Sequence, residues 1–217
     1  MITLINGHEA DRHADIVDAM FRGRAAIFRE KLGWDVNVED GRECDPYDAL
    51  NPLYVIALDD ETGSVIGSIR LMPTTGPTLQ RDIFANAFDD DVDLVSATIW
   101  EATRFCVHPQ TIRRLTPTRL DRATCEIAIA MCEIGLNAGL TQYIGIFEPH
   151  MQRIYRRIGW EPEVLARSTA FETGPIAVGL WDVTTDALAD IRRRAGIYED
   201  IIVDGARKRA RILAKAA

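Results

Sequence analysis

The sequence has few cysteines and no long apolar run. Its four cysteines, at positions 44, 106, 125 and 132, form neither a CxxC pair nor a Cys/His spacing suited to zinc. We therefore expect reduced thiols and no metal site. No apolar stretch approaches the roughly 20 residues of a membrane span, and the first residues lack the basic and apolar regions of a signal peptide. These absences predict a cytoplasmic protein without a membrane span.

Basic residues are also scarce. The chain has 25 Lys and Arg against 33 Asp and Glu, which gives a formal net charge of -8. The acidic excess lies in residues 1–149, whereas residues 150–217 carry more basic than acidic side chains. Nucleic-acid binding requires a concentrated basic surface, so we expect no nucleic-acid partner. The C-terminal part can still attract an acidic partner.

The order of predicted elements indicates one α/β domain over residues 1–217. The hydrophobic pattern predicts strands at 2–5, twice within 53–73, at 99–107, at 141–147, near 163–168 and at 175–181. Helices are expected over 9–34, over 116–139 with Thr116 as the N-cap and Gly139 as the end, over 148–160, and in a tail from about 184. Because the middle strands follow one another without helices between them, we expect a mixed sheet flanked by helices, not a doubly wound fold.

The stretch "IWEATRFCVHP" places two charges, Glu101 and Arg104, in the middle of a predicted strand. A charge in a strand interior needs a partner or a function, because burying it alone is unfavourable. Strand alternation puts the two side chains on opposite faces. Either a β-bulge brings both to one site, or Arg104 acts from the other face.

Four further charged residues need a partner or a function in the same way as Glu101 and Arg104. Arg24 lies on the apolar stripe of the first helix, Arg70 in the middle of a strand, and Asp45 and Asp48 beside a proline. Taken singly, each has a structural explanation: an arginine reaching to water, a surface ion pair, or turn-forming aspartates. Together the six charges suggest a site for a small molecule that carries both a carboxylate and a cation. Phe28 and Trp34 add aromatic faces that attract a cation.

These residues resemble the N-acyl-homoserine lactone synthases, the LuxI-type autoinducer synthases. The resemblance runs from residue 1 to about 182 and includes "LGWDV", "DPYDALNPLY", "SIRLMPTTGP" and "WEATRFCV". All eight signature positions of the family are present: Arg24, Phe28, Trp34, Asp45, Asp48, Arg70, Glu101 and Arg104.

The resemblance implies a fold like that of the GNAT acyltransferases and a reaction between two substrates. The amino group of S-adenosylmethionine attacks an acyl thioester on acyl carrier protein, and lactone closure then releases methylthioadenosine. S-adenosylmethionine is a substrate here, and no cofactor is implied. Glu101 is the expected general base, acting directly or through a water, with Arg104 and Asp45 beside it. The expected S-adenosylmethionine-binding residues are Arg24, Phe28, Trp34, Asp48 and Arg70.

The resemblance also indicates how the acyl donor is recognised. Family members that use 3-oxoacyl chains tend to carry a threonine at the position of Gly145, which offers no hydrogen-bond donor. With Ile146 and Phe147 as an apolar wall, we expect a medium to long chain without a 3-oxo group. The alternative is that Gly145 only allows close packing. Arg153, Arg156 and Arg157 are the expected docking surface for the acidic carrier protein, unless they form only a solvated basic face.

Two other functions are open at this stage. An ordinary GNAT acyltransferase using acyl-CoA would need free backbone amides for the pyrophosphate, and "VHPQTIRRLTPTRL" has no glycine-rich turn to supply them. A non-catalytic sensor of S-adenosylmethionine or of the carrier protein would have no need for the base Glu101.

Overall fold

A computed structural model describes residues 1–88, 92–108, 115–116, 118–169, 171 and 174–203. The strands, in chain order, are β1 (Ile2–Asn6), β2 (Val38–Glu39), β3 (Arg42–Glu43), β4 (Leu53–Leu58), β5 (Val65–Pro73), β6 (Ile99–Val107), β7 (Gln142–Phe147), β8 (Glu163–Ser168) and β9 (Ile176–Asp182). Strands β2 and β3 form a separate hairpin, and the others form one sheet in the order β1-β4-β5-β6-β7-β9-β8. Of the strand pairs that the structure describes in this sheet, β6–β7 is parallel and the others are antiparallel, so the sheet is mixed as predicted.

The helices lie on both faces of this sheet. They are α1 (Ala14–Ala25), α2 (Leu79–Asp82), α3 (Arg122–Ala138), α4 (Gln152–Ile158) and α5 (Thr185–Ala195). Helix α1 continues into a wider π-helical turn over Ala26–Lys31. Alternate residues of β4 divide the core: Tyr54 and Ile56 pack in the cluster that includes residues of α1, whereas Val55 and Ala57 pack in the cluster that includes residues of α3. The resulting three-layer sandwich confirms the predicted fold class.

Helix α3 begins later than predicted. Its N-cap is Asp121, whose side chain accepts a hydrogen bond from the Thr124 amide at 2.9 Å. Thr116 instead accepts from the Leu120 amide in a tight turn, where Arg119 has a φ of +61°. That turn interrupts the helix that the sequence pattern suggested to start at Thr116. The predicted end is confirmed, since Gly139 adopts a left-handed conformation.

The long region between the first helix and β4 is more ordered than a loop. It contains the β2–β3 hairpin and a 3-10 turn over Pro46–Ala49. The tail after residue 184 begins with α5 as predicted, but the helix ends at Ala195, because Gly196 adopts a left-handed conformation. Residues 197–203 are not helical, and residues 204–217 lie outside the described part of the chain.

Strands β6 and β7 pair for only three residues, Ile99–Glu101 with Gln142–Ile144. Both strands continue beyond that point, and the residues that follow on each line a cavity. Because the pairing ends there, a gap opens between β6 and β7. The candidate site lies at this gap.

No helix within the described residues is long and apolar enough to span a bilayer. No group of three His, Cys, Asp or Glu side chains in the same residues is arranged to hold a metal ion. The four cysteines are free thiols, of which only Cys44 is partly exposed.

Candidate active site

Three arginines and three carboxylates form a closed ring of ion pairs between α1 and the sheet. Around the ring they alternate in charge, in the order Arg24, Glu43, Arg104, Asp45, Arg70 and Asp48. Each arginine therefore binds two carboxylates, and each carboxylate binds two arginines. The ring is electrically neutral, which satisfies the requirement that buried charges be paired.

Arg24 and Arg70 form the most buried part of the ring, and each side chain is only 1% exposed. Arg24 binds Asp48 through two hydrogen bonds of 2.9 Å and donates to Glu43 at 2.5 Å. Arg70 binds Asp45 through two hydrogen bonds, at 2.5 and 3.0 Å, and donates to Thr103 at 3.0 Å. Such bidentate pairs fix both partners in position.

The electrostatics agree with this geometry. Burial alone would raise the pKa of Asp48, but the hydrogen bonds and charge of Arg24 and the charge of Arg70 hold that pKa well below its usual range. Burial alone would lower the pKa of Arg24, but its carboxylate partners Asp48 and Glu43 raise that pKa. Both groups are therefore charged at neutral pH.

A local turn presents the two aspartates. Asp45 caps the 3-10 turn over Pro46–Ala49 by accepting from the Tyr47 amide, and Asp48 accepts from the Asp45 amide in return. This reciprocal capping box is the turn-forming role that aspartates beside a proline suggest. The same carboxylates also bind the arginines, so the structural role and the charge-pairing role coexist.

A β-bulge settles which face Arg104 occupies. Strand β6 pairs Arg70 with Thr103 and Ser68 with Cys106, so two residues of β6 lie opposite one residue of β5. Arg104 in this bulge has a φ of +57°, an unusual value for a residue with a side chain. Its guanidinium reaches Glu43 and Asp45 on the same side of the sheet as Thr103. Of the two alternatives open from the sequence, the bulge is the one observed.

Glu101 is 1% exposed and is held by backbone amides rather than by an arginine. Its two carboxylate oxygens accept hydrogen bonds from the amides of Leu79 at 3.0 Å and Gln80 at 2.7 Å, in the first turn of α2. Burial raises the pKa of Glu101, and the two amides oppose this rise without cancelling it. A carboxylate with a raised pKa is suited to accept a proton near neutral pH.

Two aromatic side chains cover the exposed side of the ring of ion pairs. Phe28 and Trp34 stack with ring centroids 5.1 Å apart and an angle of 17° between their planes. The Arg104 guanidinium lies 5.6 Å from the centre of the Phe28 ring. Phe28 belongs to the π-helical turn after α1, a deviation from α-helix that is common at functional sites.

A large cavity of about 1360 Å³ joins these features. Five of the eight signature residues line it: Phe28, Trp34, Asp45, Glu101 and Arg104. Arg24, Asp48 and Arg70 do not line it. The geometry therefore differs from the sequence-based assignment of these three residues to direct substrate contact, since their polar atoms are already engaged within the ring. Arg70 and Asp48 bind Asp45 directly, and Arg24 is linked to Arg104 through Glu43.

The predicted acyl-chain residues Gly145, Ile146 and Phe147 also line the cavity. A Cβ atom on Gly145 would lie 2.8 Å from the Ala102 carbonyl oxygen, closer than such atoms normally approach. The absent side chain therefore leaves little free room at this point, and close packing between β6 and β7 requires glycine. The packing alternative for Gly145 has direct geometric support.

The predicted docking arginines lie on α4, with Arg153, Arg156 and Arg157 all exposed. Arg156 is engaged with Glu161 through several hydrogen bonds. Arg153 and Arg157 make no ion pair with any residue in the described part of the chain. These two are the arginines available to an acidic partner.

Glu43 is the site residue that sequence reasoning missed. It is fully buried and links Arg24 to Arg104, so the ring does not close without it. A signal was present, because Glu43 and Asp45 are two residues apart in an extended segment and therefore project to the same side. Tyr54, whose hydroxyl donates to Asp48 at 2.9 Å, was also not predicted.

Comparisons with known proteins identify similar chains. The family model described as autoinducer synthase matches residues 7–191. An acyl-homoserine-lactone synthase of Rhizobium etli is 43% identical over 186 residues, which cover 85% of this chain and 84% of that protein.

Two solved structures have the same fold. The CoA-dependent acyl-homoserine lactone synthase MesI superposes with a TM-score of 0.80 at 27% identity, over 94% of this chain and 100% of that one. The CoA-dependent synthase BjaI, with SAM and isopentyl-CoA, gives a TM-score of 0.81 at 25% identity, over 97% and 99% of the two chains. These likenesses confirm the GNAT-like architecture.

Proposed function

This chain belongs to the autoinducer synthase family and is an acyl-homoserine-lactone synthase, and from that premise we propose its substrates and the roles of its residues. The proposed amine is S-adenosylmethionine, and the proposed acyl donor is a thioester on acyl carrier protein. The proposed products are an N-acyl-homoserine lactone, methylthioadenosine and the free carrier thiol. The family's shared activity favours an enzyme over a non-catalytic sensor.

One observation carries the proposal: Glu101, Arg104 and Asp45 line the same cavity as Phe28 and Trp34. S-adenosylmethionine has an ammonium, a carboxylate and a sulfonium. Glu101 and Asp45 supply negative charge for the two cationic groups, the aromatic pair supplies faces that attract a cation, and Arg104 supplies a donor for the carboxylate.

The reaction begins with loss of a proton from the substrate ammonium. Glu101 accepts this proton, directly or through a water, and the neutral amine attacks the thioester carbonyl. The carbon–sulfur bond of the thioester breaks, the attacking nitrogen gives its second proton to the departing thiolate, and an amide forms. The methionyl carboxylate then attacks the carbon attached to the sulfonium, which closes the lactone and releases methylthioadenosine. Positioned proton transfer of this kind typically contributes about 10²–10⁴-fold to the rate.

The ring of ion pairs has a positioning role in this scheme. Because Arg24, Arg70 and Asp48 are fully engaged, they fix the backbone and side chains of Asp45 and Arg104 before substrate binds. Preorganised charges need not reorient during the reaction, which is an efficient way to stabilise a transition state.

Two observations support a carrier-bound donor. The carboxylate of Asp121 occupies the N-terminus of α3 by accepting from both the amide and the hydroxyl of Thr124. A CoA pyrophosphate at this helix N-terminus would compete with Asp121 for the Thr124 amide. In addition, Arg153 and Arg157 give α4 an exposed basic face for an acidic carrier protein.

Acyl-CoA is the second candidate donor, because MesI and BjaI are both described as CoA-dependent. Their overall similarity to this chain makes a direct comparison of the two donors necessary. The pantetheine arm is common to both donors, so the chemistry at Glu101 is the same in either case.

We further infer that the acyl chain is of medium to long length and has no 3-oxo group. Gly145, Ile146 and Phe147 on the cavity wall provide no side-chain hydrogen-bond donor. Beside these three residues, a buried 3-oxo oxygen would lose its bonds to water at a cost of about 1–3 kcal/mol.

The test is to mix the purified chain with S-adenosylmethionine and matched acyl donors on acyl carrier protein or on CoA. Mass spectrometry then measures the lactone and methylthioadenosine. Lactone formation with a lower KM for the carrier-bound donor supports the proposal, and a lower KM for acyl-CoA identifies the second candidate. Methylthioadenosine without lactone, or neither product, would contradict the proposed reaction. Competition between 3-oxo and unsubstituted chains tests the inference about the donor's substituent.

A further inference from the structure

Helix α2, which supplies the two amides that hold the proposed base, is too short to keep its position by itself. It has four residues, Leu79–Asp82, and isolated helices of fewer than about 12 residues are marginal in water. The Gln80 side chain ties the helix to the Val92 carbonyl oxygen at 2.6 Å. The last residue, Asp82, is exposed and accepts a hydrogen bond from the Tyr47 hydroxyl at 3.0 Å. The position of α2 therefore depends on its contacts with other segments.

Tyr47 connects α2 to the turn that carries the two aspartates of the ring of ion pairs. It is 7% exposed and lines the cavity together with Glu101. Its backbone amide donates to Asp45 at 2.9 Å, and the centre of its aromatic ring lies 5.5 Å from the Arg70 guanidinium. Because its hydroxyl binds Asp82, this one residue spans the distance between the ring of ion pairs and α2.

The surroundings of Tyr47 determine the direction of its hydrogen bond to Asp82. Burial raises the pKa of the Tyr47 phenol, and the hydrogen bond to Asp82 and the negative charges of Asp82 and Glu101 raise it further. The phenol is therefore protonated at neutral pH, and its hydroxyl is the donor. A hydrogen bond to a charged acceptor is stronger than one between neutral groups, so this bond is suited to hold the end of a short helix.

From these contacts we propose that Tyr47 is a positioning residue for Glu101, the inference resting on the proposed function of the site. The two amides that bind Glu101 move with α2, whereas Asp45 belongs to the turn that Tyr47 begins to build. The Tyr47–Asp82 bond therefore sets the distance between the base and the charged groups proposed to bind S-adenosylmethionine. A misplacement of about 1 Å at a reacting centre can lower a rate by as much as about 100-fold.

The experiment measures kcat and the KM for S-adenosylmethionine in the full chain, with octanoyl thioesters of acyl carrier protein and of CoA as donors. Tyr47→Phe removes the hydroxyl and keeps the aromatic ring beside Arg70. Asp82→Ala removes the acceptor, and because Asp82 is exposed, this variant decides the question if Tyr47→Phe is unstable. Asp82→Asn keeps an acceptor oxygen and is the conservative variant. Tyr198→Phe removes a hydroxyl from a residue that is 70% exposed and is the matched control.

We expect Tyr47→Phe and Asp82→Ala each to lower kcat by about 10-fold with little change in the KM for S-adenosylmethionine, because a misplaced base slows the chemistry and not the binding. The double variant should show the same loss of about 10-fold, since both substitutions remove one bond. Asp82→Asn should retain most of the native kcat, and Tyr198→Phe should match the native protein. Thermal unfolding verifies that each variant is folded.

Several results would overturn the inference while leaving the synthase activity intact. A native kcat in folded Tyr47→Phe or in Asp82→Ala would make the bond purely structural. A raised KM at constant kcat would place the phenol in substrate binding. Equal losses in Asp82→Asn and Asp82→Ala would assign the effect to the charge of Asp82, and additive losses in the double variant would show that the two residues act separately. If the native protein forms lactone from neither donor, the proposed function itself fails and the inference falls with it.

Discussion

At the scale of single residues, two opposing effects act on the pKa of Glu101. Burial raises its pKa, and the amides of Leu79 and Gln80 stabilise its charged form. The net rise keeps the carboxylate basic enough to accept a proton, while the amides fix its orientation. A base that must be ionised gives a rate that falls as the pH drops through its pKa, so the acidic limb of the pH–rate profile should lie above the usual range of a glutamate.

Glu101→Gln removes the base while keeping the size of the side chain. We expect turnover to fall by about 10²-fold or more. The carboxamide has a single oxygen, so one of the two α2 amides loses its acceptor, and a modest loss of stability should accompany the change. Calorimetry of S-adenosylmethionine binding and thermal unfolding separate these effects from lost catalysis. Near-normal turnover in a folded variant would remove Glu101 from the role of base.

Glu43 tests whether the ring of ion pairs stabilises the fold. Glu43→Gln leaves Arg24 and Arg104 with one carboxylate partner each and adds a net positive charge to a buried site. Breaking a buried pair from one side typically costs about 3–5 kcal/mol, and urea unfolding measures it. Glu39→Gln, on the exposed strand of the same hairpin, is the matched control and should change the free energy of unfolding little. Equal stability of the two variants would show that the ring contributes no net stability.

The eight signature residues were all identifiable from the sequence. Which of them line the cavity, and which are engaged only in ion pairs, was not. Sequence motifs show which charges occur, and they do not show which of them face a cavity. Arg24 and Arg70 look like ligand-binding arginines until the structure shows their partners. Glu43 has no apolar neighbours that mark it as buried, so its two-residue spacing from Asp45 was the one signal available.

At the scale of elements, the bulge in β6 explains a pattern that strand alternation cannot. A bulge depends on the left-handed conformation of Arg104, and an arginine adopts it only when its surroundings compensate for the strain. Here Glu43 and Asp45 bind the guanidinium and supply that compensation. The strand could therefore be predicted from its residues, whereas the bulge follows from tertiary contacts.

Helix α4 presents the surface proposed for the carrier protein. Reversing Arg153 and Arg157 to Glu should raise the KM for the carrier-bound donor several-fold and flatten its salt dependence, because electrostatic attraction to an acidic partner is lost. The KM for S-adenosylmethionine should not change. Arg12→Glu reverses an arginine that is 79% exposed outside α4 and is the control. An equal rise in both KM values, or a similar rise in the control, would contradict specific docking on α4.

Gly145 tests the close approach of β6 and β7. Gly145→Ala should destabilise the fold by about 1–3 kcal/mol, the usual cost of overpacking, since its Cβ would lie 2.8 Å from the Ala102 carbonyl oxygen. Gly76→Ala is the control, because the nearest atom to its added Cβ is 3.8 Å away. Urea unfolding gives both values. Unchanged stability in Gly145→Ala, together with an altered preference among acyl donors, would show that this position governs chain selection and not packing.

At the scale of the whole molecule, the sequence pattern predicted the elements better than their arrangement. Periodicity and the glycine ends located nearly every helix and strand of the sandwich. The sequence pattern could not reveal that β6 and β7 pair for only three residues, since strand pairing depends on contacts between distant segments. Yet this short pairing creates the cavity that links the buried charges on one face with the apolar wall on the other.

At the same scale, His108, which packs against Gly23 of α1, should make the free energy of unfolding depend on pH. The His108 ring lies over Gly23, where an added Cβ would overlap it, and its Nε2 atom has no partner among the described residues. Burial lowers the pKa of His108 from 6.5 to about 4. Between these values the unfolded chain binds a proton that the folded chain does not, so the free energy of unfolding decreases as the pH falls through this window.

Replacing His108 with a residue that does not titrate should remove this contribution. We expect urea unfolding of the native protein to lose up to about 1.4 kcal/mol per pH unit from His108 as the pH falls from 6.5 towards 4. His108→Asn should show a shallower slope over the same range, although its stability at neutral pH is lower through lost packing. His150→Gln, which changes an exposed histidine, should keep the native slope. Glu101 titrates with the opposite sign in every variant, so the difference between slopes isolates His108. Identical slopes in His108→Asn and the native protein would show that the ring is accessible to protons in the folded state.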